Sequence, residues 1–180
     1  MVTAIRCANG AVFGKARAEP ELHNMGTTIV AMREDADLLH LCHVGDSRIY
    51  RMRQGQLDQV TRDHSLINLY ADNPQLASRF GPPNSNVIVR AIGLHENVEI
   101  DHRVVAMEEN DLYLLCCDGL TDMVDDWMLK ELLADAAAAP DNSLEECCDA
   151  LVRSALSNGG VDNVSVIVVR IQNVEAAPSA

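Results

Sequence analysis

Apolar positions follow two periods along the chain, and the change from one to the other divides it. Over residues 3 to 18, Ile5, Ala8, Val12 and Ala16 fall near one face of a modestly amphipathic helix. That helix must end before Glu19-Pro20, because a proline disfavours helix in the residue before it. After Gly26 the period shortens, and β-rich segments are expected at Thr28–Arg33, Leu38–Val44, Arg48–Arg53 and Leu57–Thr61. The links between them are short and turn-like, Glu34-Asp35-Ala36-Asp37, Gly45-Asp46 and Gln54-Gly55, so neighbouring strands must run antiparallel. Periodicity fades from His64 to Asn86, where Pro74, Gly81, Pro82 and Pro83 predict a long irregular excursion of the kind used as a lid.

Strands are expected again at Val87–Ile92, Val98–Met107 and Leu112–Cys117. Two helices follow. Trp127–Ala139 has Asp125 or Asp126 to cap its start and Pro140 beyond its end. The second opens on the capping box Ser143-Leu144-Glu145-Glu146 and carries an apolar stripe of Leu144, Cys147, Cys148, Leu151, Val152, Ala155 and Leu156, with Gly159 as its left-handed stop. A last strand covers Val164–Ile171. Antiparallel strands with helices grouped late predict an α+β domain, an antiparallel β-sandwich flanked by helices. Residues 1–172 are expected to form one domain, and 173–180 a disordered tail of small residues.

Composition narrows the partners. With 14 basic and 27 acidic residues the formal net charge is −13, which repels nucleic acid and anionic membranes. The apolar runs are too short to span a bilayer and the N-terminus lacks a signal-peptide core, so a cytoplasmic protein is expected, and a monomer. The 6 cysteines include the adjacent pairs Cys116-Cys117 and Cys147-Cys148 and no C-x-x-C, which favours reduced thiols over disulfides or zinc ligands.

The chemistry concentrates where apolar runs meet acids. Leu112–Cys117 stops abruptly at Asp118-Gly119, a buried strand that holds out a carboxylate where glycine lets the backbone turn. Gly159-Gly160-Val161-Asp162-Asn163 offers a second carboxylate just before the last strand. Strand-end carboxylates suit hard cations, although Asp and Asn beside Gly also form turns for purely local reasons. Asp122 stands one helical turn from Asp118 as a possible outer-shell or capping acid. Asp46 reads as the residue that fixes the Gly45–Ser47 turn, and Asp63, taken by itself, as a loop acid. His43, His64 and His95 have no second ligand at i+3 or i+4 and read as surface or hydrogen-bonded histidines.

Six motifs, in order, carry a resemblance: Met25-Gly26-Thr27-Thr28, Val44-Gly45-Asp46-Ser47-Arg48, Thr61-Arg62-Asp63-His64-Ser65, Arg90-Ala91-Ile92-Gly93, Cys117-Asp118-Gly119-Leu120-Thr121-Asp122 and Gly160-Val161-Asp162-Asn163. Over about residues 20 to 171 the chain resembles the PPM-type metal-dependent serine/threonine protein phosphatases, especially bacterial ones. The resemblance implies a β-sandwich with two Mn²⁺ or Mg²⁺ ions at one edge and metal-activated water that hydrolyses phosphoserine and phosphothreonine. It implies that Asp118 and Asp162 are ligands of the metal pair, Asp63 a ligand of a third, looser site, and Asn163 part of the outer shell. Segment 66–86, with Leu66, Tyr70 and Phe80, corresponds to the variable flap. The implied partners are phosphoproteins, substrates of a serine/threonine kinase in signalling. The family's opening section, with its Asp-Gly-x-Gly-Gly motif, has no counterpart before Met1, so this chain is expected to turn over feebly or to serve as a non-catalytic regulatory or interaction domain of the same fold.

Cys42-His43-Val44-Gly45-Asp46-Ser47-Arg48 also satisfies C-x-x-G-x-x-R, the pattern of cysteine-dependent phosphatases, with Cys42 as nucleophile and Arg48 on the phosphate. That chemistry needs the loop to open a helix, whereas Arg48–Arg53 has the pattern of a strand, and Asp46 would place a negative charge in the anion cradle.

Overall fold

The computed structural model describes residues 1–81, 83, 87–139 and 143–172. Helix α1 spans Val2–Ala18, and a 3₁₀ turn, Pro20–Leu22, follows it. Strands β1 to β4 span Ile29–Asp35, Leu38–Val44, Arg48–Arg53 and Gln56–Gln59. Helices α2 and α3 span Leu66–Asp72 and Gln75–Phe80. Strands β5, Asp101–Ala106, and β6, Leu112–Cys116, precede the one-turn helix α4, Asp118–Thr121. Helices α5, Asp126–Ala138, and α6, Ser143–Ser157, lead to β7, Val166–Arg170. The strands form two sheets, β1-β2-β5 and β4-β3-β6-β7, within the α+β class that the pattern predicts. Among the described residues no helix is long and apolar enough to cross a membrane, and all six cysteines are free thiols.

The residues gather into two compact units interleaved along the chain. One comprises 1–32, 40–47 and 62–103. Its core joins Ile5, Cys42, Val44 and Ile92, with Val12, Ile29 and Ile100 packed against them. Asn9 is buried here yet fully used: its amide nitrogen donates to the carbonyls of His95 and Glu96, and its oxygen accepts from Gly93 N. Gly93 has φ +89°, and a Cβ there would stand 2.3 Å from Val12 Cγ1, so only glycine lets α1 approach so closely.

The other unit comprises 33–39, 48–61 and the residues from Val104 onward. All its strand pairs are antiparallel, with registers Arg48↔Cys116 and Cys116↔Val166. Every residue of β6 is buried, as its uninterrupted apolar run requires. Tyr50, Met52, Leu112, Leu114 and Cys116 share a core with Leu120, Leu129, Leu133, Leu151 and Ala155 from α4, α5 and α6 and with Val124 between α4 and α5. Each buried Leu, Val or Met among them contributes about 1.5–3 kcal/mol. The Asp125 side chain caps α5 by accepting from Met128 N. α6 closes with Gly159 N donating to Leu156 O and Gly160 N to Ala155 O, the paired bonds of a Schellman stop with Gly159 at φ +128°.

Three expectations need correction. Segment 64–86 is not irregular, since it holds α2, with the Ser65 side chain accepting from Asn68 N as its cap, and α3. Val87–Ile92 is not a strand: it makes only the isolated bridges Ser65↔Ile88 and Thr27↔Ile92, with Val87 and Val89 exposed. Alternating apolar residues whose pairing stops at single bridges do not make a sheet. The expected turn at Gly119 is the single helical turn α4. Pro140 and the proposed tail, 173–180, lie outside the described residues, as does the Ser143 side chain of the capping box.

Candidate metal centre

Asp118 and Asp162 both lie in the second unit, and pairing of β6 with β7 brings their backbones together. The ladder that matches Cys116 with Val166 is extended by Cys117 N donating to Ser165 O at 3.2 Å. Past that point the two segments diverge, one into α4 beginning at Asp118, the other into the turn that carries Asp162. They remain in close contact. A Cβ on Gly119 would lie 2.2 Å from Asn163 O and 3.5 Å from Asp162 Cβ. The Cys117 thiol donates to Asn163 O and accepts from Ser165 N, each at 3.2 Å.

Each aspartate also braces its own turn. Gly119 N donates to Asp118 Oδ1 at 2.9 Å, and Asn163 N donates to Asp162 Oδ1 at 2.7 Å. The local turn role and the ligand role are therefore compatible, because each carboxylate has a second oxygen. Asp118 is half-buried, Asp162 is exposed, and Asp122 is exposed at the C-terminal end of α4 with its amide donating to Asp118 O. Two carboxylates on adjoining backbone segments, each with one oxygen not used by its own turn bond, have the hard-oxygen donor chemistry that suits Mn²⁺ or Mg²⁺.

Asp63 stands in the first unit, at a cleft of ≈ 170 Å³ lined by Arg62, Asp63, Asn68, Asp72, Arg90 and Asp101 among others. Its carbonyl accepts from Asn68 Nδ2 at 2.8 Å, and Arg62 is bound through two nitrogens to Asp72. Of the flap residues, Leu66 and Tyr70 are half-buried on α2 and Phe80 is exposed at the end of α3.

Sequence reasoning missed a cluster at this cleft, two of whose members, His64 and Asp101, line it. His43 and His64 stack with ring centroids 4.6 Å apart, and their ligand atoms and those of Asp101 all lie within 4.8 Å. His64 Nδ1 accepts from Gly45 N at 3.0 Å, so its proton sits on Nε2, 3.3 Å from Asp101 Oδ1. Burial, then the Arg90 guanidinium and His43, lower the His64 pKa to about 4, and the imidazole is neutral. Arg90 NH1 lies 3.0 Å from His64 Nε2 and 2.8 Å from Asp101. A guanidinium already fills the place of a cation there, and both His64 nitrogens are committed, so this cluster is a hydrogen-bonded hub rather than a metal site. The residues come from β2, a loop and β5, and no sequence spacing could have joined them.

The cysteine-phosphatase pattern fails on geometry. Cys42 is buried inside β2, burial raises its thiol pKa, and Arg48 opens β3 rather than a helix. A strand offers no helix N-terminus to hold a phosphate or a thiolate.

Residues 25–172 match the family model described as Stage II sporulation protein E (SpoIIE). The serine/threonine protein phosphatase PstP of Mycobacterium tuberculosis is 35% identical over 170 residues, which cover 93% of this chain and 32% of that protein. The serine/threonine phosphatase stp of Listeria monocytogenes is 35% identical over 156 residues, 86% of this chain and 60% of that protein. The chain thus spans from a third to three fifths of the length of these relatives. Among solved structures, the catalytic domain of PstP in complex with two manganese ions superposes with a TM-score of 0.79 at 34% identity, covering 95% of this chain and 70% of that one. The S. agalactiae serine/threonine phosphatase gives a TM-score of 0.81 at 31% identity, covering 94% of this chain and 69% of that one.

Proposed function

We propose that this chain, which belongs to the PPM-type family of metal-dependent serine/threonine protein phosphatases, contributes Asp118 and Asp162 to the metal centre of an enzyme that dephosphorylates phosphoserine and phosphothreonine in proteins. The observation that carries this is the contact between the two acid-bearing loops at Gly119 and Asn163, which sets two carboxylates on adjoining backbone segments. Asp118 and Asp162 would hold Mn²⁺ or Mg²⁺ through oxygen, and Asp63 would serve a third, looser site. When bound, such ions polarise phosphoryl oxygens and make water a better nucleophile.

The chain's own residues do the preparatory work. Gly119 N and Asn163 N fix one oxygen of each carboxylate, which limits the rotamers that an incoming cation must restrict. β6, buried throughout, supplies a rigid base from which Asp118 emerges. Asn163 and Asp122 would act from outside the ligand set. The flap residues Leu66, Tyr70 and Phe80 would face the phosphoprotein. The proposed substrates are those of a serine/threonine kinase, and the proposed setting is the cytoplasm, with the protein as a monomer.

Hydrolysis of a phosphothreonine peptide tests the proposal. Feeble phosphate release that requires Mn²⁺ and is abolished by EDTA and by Asp118→Asn is expected. Release that persists in EDTA, or no release in any divalent metal, contradicts it.

A further inference from the structure

We infer that the Cys117 thiol is a positioning residue for the two carboxylates, fastening the start of α4, which carries Asp118, to the turn that carries Asp162. The inference rests on the metal-centre reading above and adds a group that touches neither metal nor phosphate. Cys117 immediately precedes Asp118, and its two partners, Asn163 and Ser165, follow Asp162. The S–H donates to Asn163 O and the sulfur accepts from Ser165 N, both at 3.2 Å, so a single atom acts in both senses at once.

Position in the ladder makes this contact matter. The last backbone bond between the two segments is Cys117 N to Ser165 O, after which α4 and the 159–163 turn part. Gly119 leaves room for the Asn163 carbonyl to come close, but room is not attraction: absence of a side chain permits the approach and does not hold it. The thiol proton supplies a donor at that carbonyl. Asn163 N in turn holds Asp162 Oδ1, so the linkage runs from Cys117 through one peptide unit to the carboxylate. Groups that orient metal ligands from behind characteristically set affinity without binding the ion themselves.

Serine retains both a donor and an acceptor at this position, whereas alanine retains neither. The test is the Mn²⁺ dissociation constant, taken from melting temperature against Mn²⁺ concentration at matched ionic strength, for the parent, Cys117→Ser, Cys117→Ala and Asp118→Asn. Melting in EDTA reports the metal-free stability of each separately. Cys117→Ala is expected to weaken Mn²⁺ about tenfold or more, the usual cost of losing a group behind a ligand, while Cys117→Ser stays close to the parent. Cys117→Val, of similar bulk and without a donor, replaces the alanine variant if that does not fold. An unchanged dissociation constant in the alanine or valine variant, or equal weakening in the serine variant, overturns the inference, including where the EDTA melting temperature falls. A parent that Mn²⁺ does not stabilise, or an Asp118→Asn variant that it stabilises equally, overturns the metal-centre reading itself and this inference with it.

Discussion

Gly119 and Asn163 approach so closely that a Cβ on the glycine would stand 2.2 Å from the Asn163 carbonyl oxygen and 3.0 Å from its carbon. Both atoms are backbone, so no side-chain rotation can relieve the contact. Gly119 lies in α4, where alanine would ordinarily gain about 1 kcal/mol in helix propensity. The clash outweighs that gain, because overpacking against fixed backbone costs about 1–3 kcal/mol, occasionally more. Gly119→Ala is therefore expected to lower the melting temperature by several degrees and to remove any stabilisation by Mn²⁺. A melting temperature at or above the parent's would show that the loops separate freely.

Arg53 and Asp111 form a buried ion pair in the second unit. Asp111 is 1% exposed and receives Arg53 Nε at 2.8 Å and NH2 at 2.6 Å, while Arg53 also reaches Glu108 and the Ala106 carbonyl. The Asp111 hydrogen bonds raise the Arg53 pKa further above its ordinary value. Arg53→Ala leaves a buried carboxylate without this partner and is expected to cost about 3–5 kcal/mol in urea unfolding. Arg53→Lys recovers only part, since an ammonium cannot reproduce the two-pronged contact. A loss under about 1 kcal/mol in Arg53→Ala would mean that water replaces the guanidinium at little cost.

How far the sequence discloses this arrangement depends on the range of the interaction. The strands Leu38–Val44 and Arg48–Arg53 follow from alternation and short turns, and they occur with those bounds. Asp118 and Asp162 stand out because each breaks or precedes an apolar run. That β6 pairs with β7, and so joins the two acids, depends on a register between segments some fifty residues apart, which no local pattern encodes. Helix α2 was masked by Pro74 and Gly81, although Ser65 with Leu66, Leu69 and Tyr70 is a short capped helical pattern. Val87 and Val89 imitate a strand by alternation, yet their backbone bonds to Leu66 and His64 form only the isolated bridge Ser65↔Ile88. The His43, His64 and Asp101 cluster is tertiary in origin and leaves no trace in spacing.

His64 makes stability depend on pH. Burial first, then Arg90 and His43, hold its pKa at about 4 against the opposing pull of Asp101. An unfolded histidine titrates near ~6.5, so between there and about 4 the unfolded chain binds a proton that the folded chain does not. Stability therefore rises with pH across that window: the contribution is complete above ~6.5 and is lost as pH falls towards 4, on the order of 3 kcal/mol in all. Urea midpoints from about pH 7.5 down to 5 should fall, and fall less steeply in His64→Gln, which cannot titrate. Equal slopes in the two proteins would place the pH dependence elsewhere.

Cys42 separates the metal chemistry from thiolate chemistry. Buried in β2 with its pKa raised, it is a core residue, so Mn²⁺-dependent hydrolysis is expected to survive Cys42→Ser within a few-fold. Loss of activity with folding intact, together with resistance to EDTA, would restore the nucleophile role.

The central claim, that Asp118 and Asp162 are ligands and not only turn formers, is tested most directly by cation-dependent melting of the parent, Asp118→Asn and Asp162→Asn. Asparagine keeps the oxygen that accepts from Gly119 N or Asn163 N, so the substitution removes charge and leaves the turn bond. Mn²⁺ at about ten times its dissociation constant stabilises the parent by ~1.4 kcal/mol, a shift of roughly 3–6 °C for a chain of this size. With ionic strength matched, that shift is expected in the parent and absent in both variants, whose metal-free melting is no lower than the parent's. Equal shifts in all three proteins, or none in the parent, would contradict it.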